Sequence, residues 1–173
     1  MKVLFRADEI AERVKQLGKE ISEDYQDRDL VMVGVLKGGF MFLSDLVRQI
    51  DLPMQLDFAR VSSYTDSYTP AHEVKIMMDV ETNIREKDVL MVDDILDTGQ
   101  SMHVFKAHLA LKSPASLRVC TLIDKTFRRS APITPDFFGF RIKDGFIVGY
   151  GLDYAEKYRS LPDIYVLNPE NGR

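Results

Sequence analysis

The stretch VLMVDDILDTGQS, residues 89–101, decides the fold class of this chain. Four apolar residues lead into Asp93 and Asp94, and a third carboxylate, Asp97, is followed by small and polar residues at 98–101. An apolar run of this kind is typical of a strand buried on both faces, as in a parallel sheet. Ligands of open α/β sheets bind beyond the carboxyl ends of such strands. The stretch therefore predicts a strand that delivers acidic and small residues to a ligand site.

The two halves of this motif suit different parts of one ligand. Gly99 allows the backbone to approach a ligand closely, Thr98 and Ser101 offer hydroxyls, and free N–H groups at the start of a following helix suit a phosphate. Carboxylates repel a bare phosphate but bind sugar hydroxyls or Mg²⁺. A diphosphate ester of a sugar, carried with Mg²⁺, satisfies both halves. An acidic helix N-terminus without a ligand is the alternative, and the spacing alone leaves it open.

The rest of the chain alternates strands with helices. Predicted strands cover residues 30–36, 54–61, 74–80, 88–94, 116–124, 137–142, 146–151 and 164–167, and predicted helices cover 7–25, 40–50 and about 99–112. A polar segment at 62–73 reads as a loop of about a dozen residues. This order predicts an α/β fold with a mostly parallel sheet flanked by helices.

Composition limits the classes of function. The 173 residues form a single predicted domain, residues 1–173, with 45% hydrophobic and 29% charged residues. A formal net charge of −4 does not favour binding to nucleic acid or to a membrane surface, since both are negatively charged. No signal peptide and no apolar run of membrane-spanning length is found, so we expect a cytoplasmic protein that binds neither nucleic acid nor membrane.

Five segments of the sequence resemble one known family. VLMVDDILDTGQS is similar to the signature by which type I phosphoribosyltransferases bind phosphoribosyl pyrophosphate (PRPP). The segments LKGG (36–39), SSY (62–64), DKT (124–126) and 135–163 resemble the bacterial-type hypoxanthine–guanine members, in the same order along nearly the whole chain. The resemblance implies a twisted, mostly parallel sheet, with a small hood formed by terminal segments.

The resemblance also implies a reaction. Family members join a 6-oxopurine base, hypoxanthine or guanine, to PRPP with Mg²⁺ in purine salvage, and release IMP or GMP with pyrophosphate. By position, Asp97 matches the catalytic acid/base that stabilises an oxocarbenium-like state. The acidic pair Asp93 and Asp94 matches the group that holds the ribose hydroxyls and Mg²⁺. Residues around the 5′-phosphate are matched by Asp97, Thr98, Gly99, Gln100 and Ser101.

Further positions match the base and pyrophosphate sites. Lys125 matches the donor to the exocyclic oxygen of the base, Phe146 the stacking aromatic, and Ile147 a backbone contact to the edge of the base. Asp153 matches a metal-binding carboxylate beside the base. The residues that match the pyrophosphate site are Lys37, Gly38 and Arg159, and in the family the peptide before this lysine can be cis.

The resemblance further implies a closing loop and self-association. Ser63 and Tyr64 match the start of a mobile loop that excludes water from the site. Family members are commonly homodimers or homotetramers, and the sequence does not choose between these states.

Two other functions remain open from the sequence. Proteins of this fold that sense PRPP or a nucleotide and regulate transcription often lack an acidic residue at the position of Asp97 and carry a basic RNA-binding face. Asp97 and the negative net charge favour the enzyme. A xanthine-preferring transferase is the second alternative, because residue identities do not separate hypoxanthine, guanine and xanthine.

Overall fold

The computed structural model describes residues 1–65 and 72–167, and for residues 63–65 and 72–73 it describes the backbone alone. Its main element is a six-stranded sheet in the order β4-β3-β2-β5-β6-β7. The strands are β2 (Leu30–Leu36), β3 (Met54–Thr65), β4 (His72–Met78), β5 (Asp88–Leu96), β6 (Ser116–Lys125) and β7 (Phe137–Ile142). Four of the five pairings are parallel, and only the edge strand β4 runs antiparallel to its neighbour.

Helices cover both faces of this sheet. Helices α1 (Ala7–Asp24) and α2 (Phe40–Val47) lie on one face, and α3 (Gln100–Ala110) lies on the other. Alternate strand residues enter the two cores, so that Leu30 and Met32 pack towards α1 and α2 while Val31 and Val33 pack towards α3. This burial on both faces explains the continuous apolar run of β2 and the apolar run at 89–92 in β5.

A second, three-stranded sheet forms the hood. The strands β1 (Lys2–Phe5), β8 (Ile147–Val148) and β9 (Ile164–Val166) pair antiparallel in the order β1-β9-β8. The N-terminal strand therefore pairs with a strand close to the C-terminal end of the described residues. This sheet carries residues 145–163 over the carboxyl ends of the central strands, which is where the sequence predicts the ligand.

The predicted parallel sheet, its flanking helices and the hood are confirmed, with four differences in detail. Strand β1 is absent from the sequence prediction, since four residues carry too little pattern. Strands β3 and β4 extend into the predicted loop at 62–65 and 72–73, and residues 66–71 of that prediction lie outside the described residues. Helix α2 ends at Val47, before the predicted residue 50, and strand β8 covers only two of the six predicted residues.

Candidate functional site

A cavity of about 470 Å³ lies at the carboxyl edge of the main sheet. Its walls come from the end of β2 with the loop after it, from the segment between β5 and α3, from the end of β6, and from the hood. Strand order brings these segments together, because β2, β5 and β6 are neighbours in the sheet and run in the same direction. The carboxyl ends of three parallel strands therefore meet at one site.

The acidic pair Asp93 and Asp94 lies at the floor of the cavity. Burial raises the pKa of Asp93 well above its ordinary value, and the neighbouring charge of Asp94 adds to this effect. Burial also raises the pKa of Asp94, whose side chain is almost inaccessible to solvent. Two adjacent carboxyl groups in a poorly hydrated place disfavour their own ionised forms, so a cation or hydroxyl donors would stabilise them.

Asp97 faces two cations across the cavity. Its Oδ2 atom is 3.5 Å from Lys125 Nζ and 3.5 Å from a terminal nitrogen of Arg128. Its Oδ1 atom is buried and has no hydrogen-bond partner within the described part of the chain. Buried polar atoms normally have partners. One oxygen of Asp97 therefore faces two cations, while the other is buried without a partner in this part of the chain.

The turn between β5 and α3 is shaped by Gly99. Its φ of 80° lies in the left-handed region, and a Cβ there would be 2.7 Å from the Ile133 side chain. Backbone N–H groups of Ser130 and Ala131 donate to the Thr98 carbonyl at 3.0 and 3.1 Å. The turn is thus held from behind by the segment 130–131. Its front presents the first N–H groups of α3, which have no partner inside the helix.

The loop after β2 packs directly on the acidic pair. A Cβ at Gly38 would lie 1.9 Å from Asp94 Oδ2, so no other residue fits without moving that carboxylate. The Leu36–Lys37 peptide bond before this glycine is cis.

The two cationic residues that are predicted to bind pyrophosphate form ion pairs with the same glutamate. Lys37 Nζ lies 3.1 Å from Glu156 Oε2, and Arg159 Nη2 lies 3.3 Å from the same oxygen. Arg159 is also held by Asp153 Oδ1 at 2.8 Å and by the Gly151 carbonyl at 2.7 Å. Its buried Nε atom has no partner among the described residues. In this corner of the cavity, two cations are therefore paired with two carboxylates, of which Glu156 is the more exposed.

The opposite corner combines an aromatic ring with a buried cation. Phe146 is 41% exposed although it flanks the hood, and its ring packs edge-on against Tyr154 at 5.4 Å between centroids. Lys125 is buried and pairs with Asp144 Oδ1 at 3.4 Å as well as with Asp97. An exposed ring face beside a buried ammonium suits a flat, polar, aromatic ligand.

Comparison with known proteins identifies the family. A model of the phosphoribosyl transferase domain matches residues 2–155. The chain is 44% identical over 168 residues to the hypoxanthine-guanine phosphoribosyltransferase of Bacillus subtilis (strain 168), covering 97% of this chain and 93% of the relative. It is 43% identical over 166 residues to the hypoxanthine phosphoribosyltransferase of Escherichia coli (strain K12), covering 95% and 93%. The chain belongs to the hypoxanthine(-guanine) phosphoribosyltransferases.

Solved structures agree with this assignment. A crystal structure of a hypoxanthine phosphoribosyltransferase from Staphylococcus aureus superposes with a TM-score of 0.93 at 44% identity, covering 98% of this chain and 92% of that chain. The predicted family, fold and class of enzyme, a phosphoribosyltransferase, are therefore confirmed.

The cavity brings together most of the residues that the sequence predicts for a phosphoribosyltransferase site. Those lining it are Lys37, Gly38, Asp93, Asp94, Asp97, Ser101, Lys125, Phe146, Ile147, Asp153 and Arg159. Thr98, Gly99 and Gln100 form the turn behind Ser101 and are not part of the lining. The backbones of Ser63 and Tyr64 pair with β4, and their side chains lie outside the described residues.

Sequence reasoning on this phosphoribosyltransferase missed four charged residues near the cavity. Arg128 faces Asp97, Asp144 pairs with Lys125, and Glu156 bridges Lys37 and Arg159. Arg129 lies behind the cavity and donates to the Asp97 carbonyl. The local sequence around Asp144 and Glu156 does not separate them from surface charges. For Arg128 and Arg129, the sequence offers one signal, which is their closeness to Lys125 along the chain.

No cluster of three or more histidine, cysteine, aspartate or glutamate side chains that could hold a metal ion by itself is found in residues 1–65 and 72–167. Nor does this part of the phosphoribosyltransferase contain a helix long and apolar enough to cross a membrane.

Proposed function

We propose that this phosphoribosyltransferase transfers the phosphoribosyl group of PRPP to hypoxanthine or guanine, giving IMP or GMP and pyrophosphate, with Mg²⁺. One observation carries the proposal: Lys125 Nζ and Asp97 Oδ2 lie 3.5 Å apart in the same cavity as the acidic pair and the exposed ring of Phe146. A base donor, an acid/base carboxylate, a sugar site and a stacking ring are the groups that this reaction needs.

The phosphate end of PRPP fits the turn before α3. Ser101 supplies a hydroxyl to the cavity and the first N–H groups of α3 favour an anion, while the Thr98 hydroxyl accepts from the Gln100 backbone N–H at 3.4 Å within the turn. Gln100 is tied to Ser130 by a hydrogen bond of 3.2 Å from its side-chain amide, so it keeps the turn in shape rather than facing the ligand.

The acidic pair fits both ribose hydroxyls and Mg²⁺. Adjacent carboxylate oxygens are ligands that Mg²⁺ prefers, and a bound cation would offset the burial that raises the pKa values of Asp93 and Asp94. When bound, Mg²⁺ would neutralise charge on the diphosphate of PRPP. Asp153 fits a metal less directly, since Arg159 and the Glu156 backbone N–H already occupy its two oxygens. Its role as a metal ligand remains a prediction.

The base would lie between Phe146 and the end of β6. Phe146 would stack on the purine, and Lys125 would donate to its exocyclic oxygen, which adenine lacks. Ile147, in β8, offers backbone groups to the edge of the base. Because Asp144 and Asp97 hold Lys125 from two sides, its ammonium is aimed before the base arrives.

Asp97 would act on the reacting atoms. As the bond to pyrophosphate breaks, positive charge grows on the ribose ring, and a carboxylate nearby stabilises it. The Asp97 carboxylate, which lines the cavity, can accept the proton that a purine ring nitrogen loses when it bonds to the ribose carbon. Lys37, Arg159 and the backbone at Gly38 would receive the leaving pyrophosphate.

Several broader predictions accompany this function. We propose one domain over residues 1–173, a cytoplasmic location, closure of the segment after Ser63 and Tyr64 over the site, and no nucleic-acid or membrane partner. We also propose a homodimer or homotetramer, supported by the exposed apolar side chains Leu56, Met77 and Met78 on β3 and β4. Light scattering after size-exclusion chromatography tests the last point.

The deciding experiment is steady-state product formation with PRPP and Mg²⁺, base by base, for hypoxanthine, guanine, xanthine, adenine and uracil. We expect turnover of hypoxanthine or guanine that EDTA abolishes. A preference for xanthine would select the second alternative from the sequence. No turnover with any base, together with tight PRPP binding, would favour a regulatory role.

Two variants test the assigned residues. Asp97→Asn should lower turnover by about 10²–10³-fold while PRPP still binds. Lys125→Ala should raise the KM for the base more than the KM for PRPP. Lys19→Ala, which changes an exposed lysine on α1, is the matched control. Wild-type turnover in Asp97→Asn would remove Asp97 from the mechanism. Equal effects of Lys125→Ala on both KM values would mean that Lys125 does not bind the base.

A further inference from the structure

Strands β5 and β6 stop pairing at the edge of the cavity. Leu96 and Asp124 form the last pair in their register, and Asp97 and Lys125 follow directly. Beyond this point the strands no longer supply each other with hydrogen-bond donors, so the backbone carbonyls there need donors from elsewhere. These are the carbonyls of the two residues assigned above to acid/base chemistry and to base binding.

One guanidinium supplies those donors. Arg129 Nε donates to the Asp97 carbonyl at 2.9 Å, and its Nη2 atom donates to the carbonyls of Leu96 at 2.7 Å and Lys125 at 3.1 Å. Its Nη1 atom donates to the Ile133 carbonyl at 2.8 Å. A single side chain therefore binds the ends of both strands and the segment that supports the turn at Gly99.

A buried carboxylate fixes this guanidinium. Arg129 Nη2 lies 2.6 Å from Asp124 Oδ1, and the side chains of Arg129 and Asp124 are only 14% and 3% exposed. Asp124 Oδ2 also accepts from Arg141 Nε at 2.8 Å. Arginine presents five donors in a rigid plane, whereas lysine offers a single ammonium that cannot reach acceptors on several sides. The site therefore requires arginine in particular.

We propose that Arg129 is a positioning residue, which sets the separation between the Asp97 carboxylate and the Lys125 ammonium by holding both backbones with one guanidinium. The inference rests on the proposed function. Arg129 does not line the cavity, so it acts through the two residues that do. A shift of about 1 Å between reacting groups can lower a rate by about a hundredfold, so this separation matters.

PRPP binding has supports that do not depend on the Arg129 side chain. The N–H groups of Ser130 and Ala131 hold the Thr98 carbonyl, and Gly38 packs on Asp94. A positioning role therefore predicts a loss of kcat with PRPP affinity kept. A purely structural role predicts that kcat, PRPP affinity and thermal stability fall together.

The test compares Arg129→Lys and Arg129→Gln with Arg141→Gln in the full-length enzyme. Arg141 pairs with the same buried Asp124, and the contacts described for its side chain include no carbonyl of β5, which makes it the matched control. We expect kcat with hypoxanthine to fall about 10- to 100-fold in both Arg129 variants, while the Kd for PRPP with Mg²⁺, measured by calorimetry, stays within about threefold. Arg141→Gln should change both quantities by less than about threefold.

Three outcomes would overturn the proposal. The first is a kcat within about threefold of the wild type in Arg129→Lys. The second is a parallel fall of kcat, PRPP affinity and melting temperature, and the third is failure of both variants to fold. Either of these two results would mean that Arg129 only stabilises the fold. Failure of the proposed function is distinct, because it appears as no turnover by the wild-type enzyme.

Discussion

At the scale of single residues, the acidic pair Asp93 and Asp94 is expected to bind the ligand but to lower the stability of the ligand-free protein. Ionised Asp93 is unfavourable in the folded chain because burial and the charge of Asp94 raise its pKa. Asp93→Asn should therefore raise the melting temperature of the ligand-free protein near pH 7 by about 2–4 °C, while it weakens binding of PRPP with Mg²⁺. The gain should vanish as the pH falls below the ordinary aspartate value of 3.8, where the unfolded chain is protonated too. Calorimetry across pH measures it.

The control for this prediction is Asp79→Asn. Burial opposes ionisation of Asp79 as well, but hydrogen bonds from Lys112 and His108 outweigh it and lower its pKa. Loss of that carboxylate should lower the melting temperature near pH 7, the opposite sign. A lower melting temperature in Asp93→Asn would contradict the account of the acidic pair.

Glu156 occupies the position where the pyrophosphate of the substrate is expected. Its carboxylate binds Lys37 and Arg159, so an incoming anion must displace it. Glu156→Gln should therefore lower the KM for PRPP, by about two- to fivefold given the strength of exposed ion pairs. Glu20→Gln, which breaks an ion pair with Arg13 on α1, should leave the KM unchanged. Weaker PRPP binding in Glu156→Gln would mean instead that the glutamate holds the two cations in place.

Residue roles were predictable from sequence only where a continuous motif carries them. Residues 93–101 run continuously from the end of β5 into the start of α3, so their proximity to each other is fixed along the chain. The ion pair of Lys37 with Glu156 joins residues 119 positions apart, and only the hood brings them together. The role of Arg129 is harder still to predict from sequence, because it depends on five hydrogen-bond acceptors that lie behind the cavity.

At the scale of elements, patterning identified the strands that are buried on both faces and missed the short ones. β2, β5 and β6 carry long apolar runs, and α3 joins β5 to its parallel neighbour β6 in a βαβ unit. The hood strands β1, β8 and β9 have two to four residues each, and pairing between chain ends leaves no local signal. Strand β3 is longer than predicted and β4 begins two residues before its predicted start, because antiparallel backbone pairing tolerates the polar residues that resemble a loop.

One hydrogen bond links the hood to α2. The Tyr150 hydroxyl donates to Asp45, and burial with this bond raises the pKa of the tyrosine. Tyr150→Phe should lower the free energy of unfolding by about 1 kcal/mol and raise the KM for both substrates, because Asp153 and Arg159 follow Tyr150 in the hood. Urea unfolding and steady-state kinetics measure the two effects.

The matched control is Tyr165→Phe. This tyrosine, in β9, donates to Asp163 Oδ2 at 3.0 Å, so the bond stays within the hood. A smaller loss of stability, without a change in KM, is expected there because Tyr165 is less buried than Tyr150. Equal KM changes in both variants would mean that the link between hood and α2 has no special part in shaping the site.

At the scale of the whole molecule, the site joins pieces that are far apart in sequence. The turn before α3 belongs to the main sheet, whereas Asp153 and Arg159 belong to the segment that the hood carries, with Lys37 between them. A ligand that spans this distance ties the hood to the sheet, while a ligand that fills only the turn does not. Binding to the native state alone stabilises the chain by mass action.

PRPP and ribose 5-phosphate separate these two cases. At a concentration of about 100 times its Kd, PRPP with Mg²⁺ should add about 2.7 kcal/mol to the free energy of unfolding in urea. Ribose 5-phosphate reaches the turn but lacks the pyrophosphate that would contact Lys37 and Arg159. We therefore expect weaker binding for it and no slowing of amide exchange in β8 and β9. Slower exchange in these strands with PRPP alone would support a ligand that ties the hood to the main sheet. Unchanged exchange with both ligands would confine the effect of binding to the main sheet, and equal slowing by both would remove the pyrophosphate from this effect.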